Sequence, residues 1–241
     1  MQQRIEPAGE AAPVPAIRAG AARRAGGFDF SRPFLPEALA RTAAEPLLAA
    51  REALVLNQIR GHGYLAIFSL LEEFILPSVL THLQGGATAN LGRAHALLVF
   101  AGEEARRLAT FRRLRARFAG AFGTACEAIG PADAVRRELL AHPPLSVALA
   151  MLHIGCMVQR HQEEAGPETR RLEPRFRALL HRHAGEKARH RALERALVLA
   201  LGRSLPRDAL LAGVDGYLDI AAYFDEGLRQ QAGFDLTGLE R

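Results

Sequence analysis

Tyr64 to about Leu83 is apolar on nearly every side, broken by the charged pair Glu72-Glu73. A helix that is hydrophobic all round has to be enclosed by other helices. At least one of the two carboxylates then lies in the interior, which is costly without a partner. The run thus predicts a helical bundle with charge inside it.

The rest of the chain supplies enclosing helices. Leu47, Leu48, Ala53, Leu54, Leu56 and Ile59 mark a preceding helix from about Glu45, and Gly61 and Gly63 suggest a break or kink after it. Gly85-Gly86 reads as a stop, with Thr88 or Asn90 as the next cap. Helical periodicity then covers Asn90 to about Phe118, about Ala132 to Ala141, Leu145 to about Glu164, Leu172 to Leu201, and Arg207 to about Ala232. No strand pattern and no internal repeat is visible. This is the pattern of an all-α, four-helix bundle with flanking helices.

Residues 1–27 are rich in Ala, Arg, Gly and Pro without periodicity, and read as a disordered tail. Phe28 to Pro36 reads as an apolar, proline-fixed strap packed on the body. Residues 28–241 then form one domain. Cys126 and Cys156 give no disulfide framework, and no secretory signal or membrane span is read, so a cytoplasmic location is expected. Arginines carry the net charge of +5 and alternate with glutamates, so a solvated surface is expected rather than a nucleic-acid or membrane partner.

The middle of each long helix is polar. One offers Glu72 and Glu73, the next Glu103, Glu104 and Arg107, the third His153, Cys156, Gln159 and His161, and the fourth His183, Glu186, Lys187 and His190. At 100° per residue, the four from the last helix lie within about a third of a turn. Carboxylates and imidazoles projecting inward from four helices is how di-iron carboxylate bundles build their centre. His153 and His161 read as ordinary helix histidines and Cys156 as a buried structural thiol. His62, His82, His95 and His142 show no partner pattern.

Leu71-Glu72-Glu73-Phe74-Ile75-Leu76-Pro77, Glu103-Glu104-Ala105-Arg106-Arg107, Leu152-His153-Ile154-Gly155 and His183 to His190 together resemble the ferritin-like di-iron proteins related to p-aminobenzoate N-oxygenase. The resemblance spans about 200 residues from the Phe28 strap onward. It implies a ferritin-like bundle, an iron pair, dioxygen chemistry on a small amine-like substrate, and a homodimer. It assigns metal-ligand roles to Glu73 (with Glu72 as the alternative), Glu104, His183 and His190.

Three positions depart from the family pattern. Arg107 stands where the pattern has histidine, and Gly155 and Lys187 stand where it has glutamate. Lys187 is the one lysine among 31 basic residues. Arg107 and Lys187 can supply the positive charge that iron would, so either Glu104 or Glu73 is expected to pair with one of them. The expectation is a non-catalytic, metal-poor descendant acting as a binding or assembly module. The alternative is an active non-haem iron oxygenase. It would hold two irons, or one iron on His183, His190 and a carboxylate from Glu104, Glu73 or Glu186.

Overall fold

The computed structural model describes residues 27–84 and 91–240. The tail expected at 1–27 lies outside these apart from Gly27, as do the Gly85-Gly86 stop and the caps at Thr88 and Asn90. The regular structure among the described residues is helical throughout. A one-turn helix α1 (Glu37–Ala40) precedes α2 (Ala50–Gln84), α3 (Leu91–Phe122), α4 (Ala132–Leu140), α5 (Pro144–Ala165), α6 (Pro174–Ser204) and α7 (Arg207–Glu240).

The break expected at Gly61 and Gly63 is absent, and α2 runs through both. These glycines serve close approach instead. A Cβ at Gly61 would lie 2.9 Å from Phe34 Cβ, and one at Gly63 would lie 3.2 Å from Asp235 Oδ1. The missing side chains let the strap and α7 lie against α2, while the helical hydrogen bonds continue. α7 extends about two turns past the expected end, because Gln231, Asp235 and Gly238 are buried.

Side-chain pairings fix the helix directions. Glu72 of α2 meets Arg107 of α3, and His62 meets Phe118, so these helices are antiparallel. His190 of α6 meets Glu103 of α3, and His183 meets Phe111, so α6 is antiparallel to α3. α5 joins α6 through the short turn Gly166–Arg171 and packs along it. α3 and α5 therefore run the same way. Residues 123–143, with α4 among them, must carry the chain back along the bundle. α7 lies outside, against α2 and α5.

Two hydrophobic clusters fill the bundle. One joins Phe28, Phe30 and Phe34 of the strap to Phe111, Phe118 and Phe122 of α3 and Phe176 of α6. Phe34 stacks on Phe176 at 4.5 Å between ring centres. Asn57 of α2 fixes the strap: its Oδ1 accepts from the Phe34 and Leu35 amides at 2.7 and 3.0 Å, and its Nδ2 donates to the Leu35 carbonyl at 2.8 Å. The second cluster joins Phe74, Ile75 and Val79 to Leu97, Phe100, Leu139 and Met151. Between these two levels, the long helices carry charge.

Candidate functional site

Arg107 is the hub of this polar layer. It is 5% exposed and lies among three glutamates on three helices. Its Nε donates to Glu72 Oε1 at 2.7 Å, its Nη1 donates to Glu186 Oε2 at 2.7 Å, and its Nη2 pairs with Glu104 Oε1. The guanidinium suits this because its donors fan out in one plane toward several carboxylates. Lys187, fully buried, places Nζ 3.5 Å from Glu104 Oε1 and 4.0 Å from Glu72 Oε1. Burial pulls the Lys187 pKa down, with the Glu104 carboxylate opposing that pull. For Glu104, burial pushes upward, but Lys187, His190 and Arg107 together hold its carboxyl well below the usual range. Of the two carboxylates expected to pair with one of these cations, Glu104 pairs with both and Glu73 with neither.

Glu72, 1% exposed, takes the inward position, and Glu73 does not. Glu73 turns toward the rim and pairs with Arg112 at 2.5 Å. The preference for Glu73 as the site carboxylate is therefore corrected to Glu72. Adjacent helix residues point 100° apart, and here Glu72 turns inward while Glu73 turns to the rim. Glu186, one turn before His190, reaches the layer through Arg107 and stays partly exposed.

The two histidines occupy different surroundings. His183, 1% exposed, lies edge-on to Phe68 and Phe111, with ring centres 4.6 and 5.4 Å away. Its Nδ1 is 2.9 Å from the Tyr64 hydroxyl, and its Nε2 has no protein partner. Burial, then Arg107 and Lys187, hold His183 well below the usual histidine range, so the ring is neutral. His190 lies between carboxylates, with Nε2 2.5 Å from Glu103 Oε2 and Nδ1 2.9 Å from Glu104 Oε1. Burial raises the Glu103 pKa, but His190 and Arg189 outweigh it and the net shift is downward.

Glu194 belongs to the cluster, and the sequence reading missed it. It is 2% exposed, and neither carboxylate oxygen has a protein hydrogen-bond partner. It occupies the space that Gly155 leaves: a Cβ on Gly155 would lie 2.7 Å from Glu194 Oε2. A carboxylate reaching across from α6 thus fills the space beside Gly155 of α5. Burial pushes its pKa up to about 6, against the pull of Lys187. The signal was legible, since Glu194 follows His183, Lys187 and His190 in a 4-3-4 spacing that keeps one helix face.

These residues do not fit a metal pair. Arg107 and Lys187 pair with Glu72 and with Glu104 Oε1, and two cations beside these carboxylates repel a divalent ion, although Glu104 Oε2, both Glu194 oxygens and His183 Nε2 have no hydrogen-bond partner in the protein. Among the described residues, no three His, Cys, Asp or Glu side chains converge with the geometry of a metal-ligand set. His153 pairs with Tyr217, away from the layer, and Cys156 is exposed. Beside Tyr64, a narrow groove runs between Pro36, Leu39, Val158, His161 and Leu180, with no room for more than a few atoms. No family profile, curated protein or solved structure matches the chain.

Proposed function

We propose that this chain is a ferritin-like bundle of the p-aminobenzoate N-oxygenase type whose metal pocket has become a closed charge network. On this reading it is a non-catalytic scaffold. The observation that carries the proposal is Arg107, whose guanidinium binds Glu72, Glu104 and Glu186, carboxylates from three helices, at the bundle midpoint. The topology supports it too, since α3 and α5 run the same way across one long connection, as ferritin-like folds do. Replacement of iron by cations accounts for the survival of the buried glutamates. Without positive charge nearby they would cost several kcal/mol each.

Iron and zinc quantification after anaerobic reconstitution tests this reading. The expected result is well below one metal per chain, and two irons per chain would overturn it. A restoring variant adds the converse. Gly155→Glu by itself would bring the new side chain into collision with Glu194, so the variant is R107H/G155E/K187E/E194A. It is expected to take up iron that the parent does not. If it folds yet gains none, the pocket is misassigned.

A further inference from the structure

We propose that the outer face formed by α3 and α6 binds double-stranded nucleic acid through its phosphates, whatever the bundle core holds. The two helices carry seven arginines on α3 and eight basic residues on α6, against only two glutamates on each. Along the sequence those glutamates alternate with the arginines. In the fold they turn inward: Glu104 and Glu194 are buried, while Glu186 and Glu103, with side chains 18% and 21% exposed, are held by Arg107, Arg189 and His190. The acids of these helices neutralise the core, and the surface keeps its arginines.

Those arginines form two facing rows. On α3, Arg106, Arg113 and Arg117 are exposed and follow a spacing of seven and four, which keeps one stripe. On α6, Arg182 and Arg189 are exposed two turns apart, about 10 Å along the axis. Arg189 reaches Glu103 at 3.4 Å, so the α6 stripe borders α3. The antiparallel register puts Arg106 level with Arg189, and Arg113 level with Arg182. Among the described residues, no carboxylate lies within ion-pair distance of Arg106, Arg113, Arg117 or Arg182. α7, on the other side of the bundle, has seven carboxylates and two arginines. The molecule is therefore strongly polarised, which orients an anionic partner toward the arginine face.

The chemistry of the face selects among polyanions. The exposed large apolar side chains of these helices, Leu91, Leu98 and Val99 of α3 and Leu199 of α6, are confined to one end of the face, and none lies between residues 100 and 122 of α3 or between 174 and 198 of α6, where the arginine rows run. A membrane-binding face interleaves such side chains with its cations. Among the described residues, the exposed large aromatic is Tyr223, on α7, and α3 and α6 expose only the smaller rings of His95 and His181, so this face lacks the large stacking platform of single-strand binders. Rigid rows of arginine without large aromatics match a duplex read at its phosphates, with no base preference.

Fluorescence anisotropy with a short duplex of arbitrary sequence tests the proposal on the full chain. Binding is expected at 50 mM salt and should weaken by on the order of a hundredfold or more by 200 mM. R106S/R113S/R182S removes three exposed cations and is expected to lower the slope of log affinity against log salt by about 2.7. R51S/R137S/R207S removes the same charge elsewhere and is expected to change the slope by less than half as much. Three results would overturn the proposal: no duplex binding at 50 mM salt, equal losses in the two variants, or binding to phosphatidylserine vesicles that duplex does not compete away.

Discussion

Arg107 and Lys187 each sit where a buried cation is tolerable only because carboxylates surround it. Arg107 is the more consequential, since it satisfies three glutamates at once. R107M keeps much of the volume but leaves Glu72 and Glu104 short of a partner. Removing one member of a buried ion pair costs about 3–5 kcal/mol. Calorimetry is therefore expected to show the melting temperature of R107M lowered by about 10 °C, and an unchanged value would refute the hub role. Glu194 makes a second prediction, of opposite sign. Its folded pKa of about 6 lies above the ordinary value of 4.5. The folded state therefore binds this proton more tightly, and Glu194 costs stability that grows as pH rises from about 4.5 to 6. E194Q is expected to gain about 2 kcal/mol over the parent at pH 8 and to lose that advantage below pH 4.5. Urea melts at the two pH values check the difference. The sequence could not choose between Glu72 and Glu73, because a helix apolar on all sides has no polar face to orient the pair.

At the scale of elements, the strap and α6 show how short motifs set long helices. Asn57 makes three hydrogen bonds to the Phe34 and Leu35 backbone, all of them buried. N57A strands two amides and a carbonyl, each costing about 1–3 kcal/mol unless water reaches them. A loss of roughly 3 kcal/mol is expected, together with protease cleavage near residues 30–36 under native conditions. Cleavage elsewhere first would count against the strap's dependence on Asn57. Glu173 caps α6 by accepting from the Arg175 and Phe176 amides at 2.7 and 2.9 Å, while its own amide donates to the Pro33 carbonyl at 2.8 Å. One residue thus starts a helix and ties it to the strap. The sequence predicts both elements from their apolar pattern. The uninterrupted α2 was not legible, because a glycine that breaks a helix and one that admits a neighbour look alike until the neighbour is placed.

For the whole molecule, buried histidines set the response to acid. His62, 3% exposed, packs against Phe118, and its Nε2 accepts from Arg115 Nε at 3.3 Å. Burial, and then Arg115, lower its pKa to about 4. The folded state therefore refuses a proton that the unfolded chain takes near pH 6.5. The resulting stability is present above pH 6.5 and is lost as pH falls toward 4. His183 acts in the same direction. H62Q, which keeps an acceptor for Arg115, is expected to remove about 3 kcal/mol of the acid-induced loss between pH 7 and 4. Parallel slopes for parent and variant across that range would sink the assignment.

The amino-acid sequence determined the helical class, the approximate span of most long helices and the level at which their polar residues meet. Apolar periodicity and glycine or proline punctuation act within a few residues of the chain, so a reader of the chain can see them. Tertiary structure decided which way each charge turned. Neighbouring helices alone determine that Glu72 goes in and Glu73 out, that Glu194 fills the gap at Gly155, and that the glutamates of α3 and α6 leave their arginines uncovered. A side chain's surroundings are made by residues distant in sequence, and the cost of burying a charge depends on those surroundings rather than on its neighbours along the chain.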